Sequence, residues 1–199
     1  MHYPIHHFTI TDQNLLRDLV KLFPLACIIS AVEDEIITSH IPLYLKDGKM
    51  VGHVDANNPH VEFLKNGRKV KLVFSGPDAY ISPSHFSTNE LPTYNSIRIE
   101  ANAKVYAIED DLLKAEIQTL TEQMEGENGA YKLTEKEARL HSLMPYIHGF
   151  QLEVEEFVGR VKMSQDKKQS HFEKAKKLVL ESYTERMHEA LQLIQKKQS

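Results

Sequence analysis

With 199 residues, 41% apolar and 26% charged, the chain has the composition of an ordinary soluble globular protein, long enough for one domain with an appendage. No apolar run approaches the roughly 20 residues that span a bilayer, and the start, MHYPIHHFTITDQ, lacks the basic-then-apolar order of a secretory leader. The single cysteine excludes an internal disulfide and fits a reducing cytoplasm, while the net charge of −4 divides into +3 for residues 166–199 and −7 for residues 1–165, an acidic body unsuited to general polyanion binding.

Thr11 reads as the N-cap of a helix that carries Leu15, Leu16, Leu19, Val20 and Phe23 and stops at Pro24. Strand-type runs follow at 25–30, 35–45, 49–54, 69–74 and 79–82, with turn signals at Lys46-Asp47-Gly48, Asn66-Gly67 and Gly76-Pro77. Residues 96–108 continue the strand pattern. Glu109 to Met124 has helical spacing of Leu112, Leu113, Ile117, Leu120 and Met124. A polar stretch then leads to a short helix near Thr134. The last strand, HGFQLEVEEFVGRVKM, alternates Phe150, Leu152 and Val154 inward with Gln151, Glu153 and Glu155 outward. Short, closely spaced antiparallel strands predict a mainly β fold, a closed or nearly closed barrel with flanking helices. The tail differs. Ser170 to Glu173 matches a capping box, and Phe172, Ala175, Leu178, Val179, Met187, Leu191 and Ile194 recur at helical spacing. The expected division is a barrel domain at 1–165 and a helical extension at 166–199, its apolar stripe covered by the barrel or by a second subunit.

There is no GxGxxG, GxxxxGK[ST], HExxH, CxxC or GxSxG, so no motif supports dinucleotide, nucleoside-triphosphate, zinc-protease, thiol-redox or serine-hydrolase chemistry. Cys27 sits in an apolar strand and reads as a core residue. The eleven histidines are scattered apart from His6-His7, which gives no metal-ligand pattern. Polar residues collect instead at strand ends: Ser39 to Pro42, Gly52 to Pro59, Ser75 to Pro83, Pro92 to Asn95 and Lys162 to Gln165.

The segments GHVDANNP, LVFSGPDAYISPSHF, LPTYN, HGFQLEVE and KMSQ, with TSHIPL and the opening MHYPIHHF, resemble in order and spacing the PaiB-type FMN-binding negative transcriptional regulators, over about residues 1 to 170. The resemblance implies a split β-barrel of the flavin-reductase and pyridoxamine-phosphate-oxidase type, a homodimer with FMN held in a cleft. It gives the strand-end clusters a shared task, because FMN needs cations and donors at its phosphate, polar contacts along its ribityl chain and an apolar wall behind its ring. Carried over position by position, the FMN contacts are His40, His53, Asn58, Ser75, Tyr80, Ser82, Ser84, Thr93, Asn95, Lys162, Ser164 and Gln165. For all but His40 there is a plainer role: His53 a structural hydrogen-bonding residue, Asn57-Asn58-Pro59 and Thr93 to Asn95 turns, Ser75 to Ser84 a hairpin and loop, Lys162 to Gln165 the close of a strand. Arg98 lies on an alternating strand and could face either way.

The sequence also departs from the pattern. Asp55 and Ala56 stand where Ala and Arg are usual, which removes a cation that could meet the phosphate; a Lys beside a Ser at 162–164 is a reasonable replacement. His85-Phe86 replaces a Trp-Tyr pair, Tyr94 and Ser96 vary the P-T-W-N-Y motif, and Asp166 stands for Asn. Three functions fit: an FMN-binding regulator, a small FMN oxidoreductase using NAD(P)H, or a split barrel that has lost FMN or binds haem through a histidine. No helix-turn-helix is evident, so direct DNA binding has no independent support.

Overall fold

A computed structural model describes residues 6–134 and 137–196; the opening MHYPI and residues 135–136, on the approach to the predicted short helix, lie outside them. The elements are strands β1 (Thr9–Ile10), β2 (Leu25–Val32), β3 (Glu35–Pro42), β4 (Tyr44–Lys46), β5 (Lys49–Asp55), β6 (Lys69–Ile81), β7 (Thr93–Ala107) and β8 (Ile147–Lys162), with helices α1 (Gln13–Leu22), α2 (Asp110–Glu125), α3 (Ala138–Leu143) and α4 (Gln169–Lys196). The sheet runs in the order β3-β2-β6-β7-β8-β5-β4, with β1 on β8. The chain separates into two compact units, a larger one of residues 12–74 and 100–158 and a smaller one of residues 1–11, 75–99 and 159–199.

In the larger unit two hairpins set the register. β4 and β5 pair antiparallel with Lys46 opposite Lys49, so Asp47 (φ 49°) and Gly48 (φ 80°) form the two-residue loop with positive φ at both positions that tight hairpins require. β2 and β3 pair from Leu25↔Pro42 to Val32↔Glu35. The expected single strand at 35–45 breaks after Pro42 because the Leu43 N–H turns to donate to Pro24 O at 2.9 Å, carrying Leu43 into the core. Helix α1 is capped not by Thr11 but by Asp12, whose carboxylate accepts from the Asn14 and Leu15 N–H groups. Leu16 and Val20 are its buried face. Leu113 and Ile117 of α2 pack with Leu140 of α3, and Leu120 with Tyr44 and Val51. Gly149 permits that packing, since a Cβ there would lie 2.3 Å from Leu113 Cδ1.

Along β8 the alternation holds for Phe150 and Leu152, then slips: Glu155 and Glu156 are both exposed before Phe157 is buried again. At that point the Gln13 amide bonds both backbone groups of Phe157, at 2.8 and 2.9 Å, in place of a ladder partner. The predicted strands at 69–74 and 79–82 are one strand, β6, because Gly76-Pro77 does not turn. The β2–β6 register ends at Ala26↔Phe74, so beyond it that edge asks no N–H of Pro77. Likewise Thr93, Tyr94 and Asn95 lie within β7 rather than in a turn, and the short helix begins at Ala138 rather than near Thr134.

In the smaller unit β1 pairs with the end of β8, Thr9 opposite Arg160. Val179 of α4 packs on Ala79 and Ile81 with Phe86, Met163 and Leu178 around them. The helix begins one residue before Ser170, and Glu173 is held by the Gln169 side chain at 2.7 Å rather than closing a capping box. Asp78 anchors the helix further along, accepting from Arg186 (2.9 Å), Tyr94 (3.0 Å) and Arg98. These donors hold the Asp78 carboxyl below its ordinary pKa against the opposing effect of burial. Arg98 therefore points to this ion pair. Beyond Val179 the helix turns a second apolar face outward: Leu180, Tyr183, Met187, Leu191 and Ile194 are each 42% exposed or more. Among the described residues no helix is long and apolar enough to cross a membrane.

Candidate functional site

GHVDANNP in the larger unit is a built turn. Asp55 Oδ1 accepts from the Asn57 N–H at 2.7 Å. The Asn58 side chain accepts from His60 N at 2.9 Å, which caps a 3-10 turn over Pro59–Glu62. His60 has no exposed surface. One ring nitrogen lies 2.8 Å from Ser30 Oγ and the other 2.9 Å from Ser39 Oγ, and Asn58 Nδ2 donates to the same Ser39 hydroxyl. Burial lowers the pKa of His60 and of His53, so both imidazoles are neutral near pH 7. His53 lies on β5 opposite Gly149, and His40 is an exposed β3 residue opposite Cys27.

The other nine candidates belong to the smaller unit, and the structure gathers only some of them. Thr93, Lys162 and Ser164 line one cavity of about 360 Å³ with an apolar wall of Phe8, Ile81, Phe86, Leu91 and Pro92, within the roughly 300–1,000 Å³ of small-molecule sites. Asn95 stands behind it, buried, its Nδ2 donating to Ser164 Oγ at 3.0 Å. Ser164 adopts φ 62°, left-handed for a residue with a Cβ, a cost that persists at ligand sites because the surroundings fix it. Thr93 Oγ1 is buried with no hydrogen-bond partner, and such an orphaned hydroxyl calls for one. The Lys162 ammonium lies 5.6 Å from the Phe8 ring centroid and, among the described residues, has no carboxylate partner. Asp166 also lines the cavity and lies in the field of Lys167 rather than paired with Lys162, so the residues present suit a ligand with an anionic group and a flat apolar body.

Ser75, Tyr80, Ser82, Ser84 and Gln165 lie elsewhere in that unit. Tyr80, 55% exposed, alternates with the buried Ala79 and Ile81 and so faces away from the wall. Ser82 caps the turn at Pro83–His85 and bonds Ser84 Oγ at 2.8 Å; Ser75 is exposed. Gln165 accepts from Met163 N and donates to His7 O at 3.2 Å, fastening the strand end to the N-terminal segment. Four residues not singled out in the sequence are Glu90, Lys167 and His171, which line the cavity, and His60, which does not. Each is a single polar residue whose partners are distant in sequence, so no local motif marks it. A second hollow of about 410 Å³ in the larger unit is lined by Val20, Pro24, Leu43, Tyr44 and Met50. Its polar side chains are already engaged, Tyr44 on Glu116, Lys21 on Asp18 at 3.0 Å and Gln123 on Leu45 O at 3.3 Å, and burial together with the Glu116 contact pushes the Tyr44 hydroxyl far above its ordinary pKa.

The fold is shared with solved flavoproteins. It superposes on the FAD and heme binding protein from Mycobacterium smegmatis with TM-score 0.64 at 14% identity, over 84% of this chain and 80% of that one. It superposes on the flavocytochrome Anf3 from Azotobacter vinelandii with TM-score 0.63 at 13% identity, over 81% and 72%. These likenesses define the class of fold, the mainly antiparallel split barrel with a C-terminal helix predicted from the sequence. The chain belongs to the family described as "Putative FMN-binding domain", whose model matches residues 1–156. It is also 26% identical over 172 residues to the Protease synthase and sporulation protein PAI 2 of Bacillus subtilis, 83% of each chain, and 30% identical over 99 residues to the uncharacterized protein YKL070W of Saccharomyces cerevisiae, 44% of this chain and 59% of that one. The resemblance to PaiB-type proteins thus holds, and the chain is a flavin-binding split barrel of that kind.

Proposed function

We propose that the chain binds FMN in the smaller unit's cavity, with the phosphate toward Lys162, Thr93 and Ser164 and the ring against Phe8, Ile81, Phe86, Leu91 and Pro92. The observation that carries this reading is the buried, unpartnered Thr93 Oγ1 in a residue that lines the same cavity as Lys162, with one apolar wall. Lys162 supplies the charge that the family pattern places at Ala56, Thr93 supplies a hydroxyl donor, Ser164, whose own hydroxyl is held by Asn95, shapes the strand end beside them, and the wall excludes water from the ring. A bound flavin supplies hydride or electron transfer, which the residues present have no means to do themselves. The resemblance to the PaiB-type negative transcriptional regulators favours a regulatory role for that chemistry. The acidic body favours regulation through a partner rather than through DNA contact.

The deciding experiment is titration of purified protein with FMN, followed by NADH or NADPH. Micromolar binding with an oxidised spectrum that persists supports the regulator, bleaching by nicotinamide supports the oxidoreductase, and no binding rejects the cofactor.

We further propose that the outward apolar face of α4 packs on a second copy. In an antiparallel pair that overlaps these faces, Glu181 of one helix lies opposite the Lys196 end of the other, which favours self-pairing. The double variant Met187→Lys/Leu191→Lys is expected to halve the mass seen by light scattering without loss of helix; an unchanged mass rejects the helix pairing. Truncation after Gln165 is a poorer test, because it also strips Ala175 and Val179 from the core.

A further inference from the structure

The family model ends at residue 156, yet α4 and the turn before it complete the cavity wall with Lys167 and His171. His171 Nδ1 lies 3.3 Å from Glu90 Oε1, while Glu90 Oε2 meets Lys167 Nζ at 2.9 Å and Thr88 Oγ1 donates to Oε1 at 3.1 Å. The imidazole also packs on Phe86, centroids 4.7 Å apart, and its side chain is only 14% exposed. Carboxylate and aromatic ring together fix its orientation. A carboxylate that takes the Nδ1–H leaves Nε2 as the ring's remaining polar atom.

Charge divides the cavity into two poles. Lys167 is shared between Glu90, at 2.9 Å, and Asp166, which also lines the cavity, so the Glu90–His171 end has no positive charge to offer an anion, and its carboxylates would repel one at close range. Lys162 is the cation left for a phosphate. The two poles match the two ends of a flavin mononucleotide, one anionic and one an uncharged ring edge of alternating carbonyl and N–H groups.

We propose that the Glu90–His171 pair recognises the uncharged hydrogen-bonding edge of the flavin ring, with His171 Nε2 as the contacting atom and Glu90 as the positioning residue. The inference rests on the flavin reading above. It makes the C-terminal extension, beyond the matched family region, part of the binding site. It also assigns discrimination between flavin and other phosphorylated aromatic ligands to a residue contributed by α4.

The test uses the full-length chain and two probes, FMN and riboflavin, followed by flavin fluorescence, with circular dichroism as the fold check. His171→Asn keeps a group able to bond Glu90 and removes Nε2; it is expected to weaken both probes by the same factor, about tenfold, the loss of one good hydrogen bond. His171→Gln, whose amide reaches the Nε2 position, is expected to recover most of that loss, which a merely structural role would not. Glu90→Gln should weaken binding as much as His171→Asn, and the double variant no further, because the two act as one unit. Losses confined to FMN, losses that multiply in the double variant, or unchanged riboflavin affinity in His171→Asn overturn the assignment while leaving flavin binding intact. Failure of the wild-type chain to bind either probe overturns the flavin reading and this inference together.

Discussion

The His60→Ala variant is expected to be less stable than the wild type by about 3–5 kcal/mol at pH 7, the range for removing a large fully buried ring together with the partners it satisfied. The loss has two sources. A void opens at a position with no exposed surface of its own, and Ser30 Oγ, in a residue 2% exposed, loses its bonded nitrogen. Ser39 retains only Asn58. The same residue gives the protein a pH dependence whose sign is fixed by its burial. Burial lowers the folded-state pKa, so between that value and the unfolded value of about 6.5 the unfolded chain binds more protons than the folded one. Stability is therefore complete above about pH 6.5 and falls as the pH drops below it. His53, shifted in the same direction by the same cause, adds to the slope. Urea denaturation at stepped pH should show a steeper acid-side loss for the wild type than for His60→Ala, with the residual slope due to His53. Equal slopes, or a loss under 1 kcal/mol at pH 7, would reject the buried network as a stabilising element.

His60 also marks where the sequence was legible and where it was not. Alternation and turn chemistry predicted most strands, because Asp47, Gly48 and Gly67 adopt left-handed conformations that few other residues favour, and a half-buried strand writes its period into the chain. Gly76-Pro77 misled for a reason visible in the register: a proline breaks a strand only where its missing N–H has a partner, and past Phe74 the β2 edge supplies none. The cap of α1 was displaced by one residue because Thr11 and Asp12 are both competent and only the observed backbone chooses between them. For the site, motif resemblance marked Thr93, Lys162 and Ser164, and these share a cavity. It marked Ser82 and Gln165 equally, and they cap and fasten backbone. A motif records that a residue matters to the family, not whether it matters through a ligand or through the turn that presents one. Glu90 and His171, 81 positions apart, meet only through the path of α4, which no local pattern encodes.

Lys162→Met is expected to weaken FMN binding by about 10- to 150-fold, the equivalent of one charge-assisted hydrogen bond of about 1.5–3 kcal/mol, and to leave riboflavin affinity within twofold. Methionine keeps an apolar side chain of similar length beside the Phe8 ring over which the ammonium sits, so the variant removes charge with little change of volume. The neighbouring cation cannot replace it, because Lys167 is committed to Glu90, and that pairing raises its pKa and lowers that of the carboxyl. Electrostatic origin has a second signature: wild-type FMN affinity should decline with added salt more steeply than riboflavin affinity, and Lys162→Met should flatten the difference. Ala56→Arg supplies the competing outcome. Arginine there restores the family pattern in an exposed turn already ordered by Asp55 and Asn58. If it raises FMN affinity while Lys162→Met changes nothing, the phosphate lies at GHVDANNP and the cavity of the smaller unit is not its site. If Lys162→Met alone acts, the charge the family keeps at position 56 has moved in this chain to the end of β8, next to the residues that hold Ser164 in its left-handed conformation.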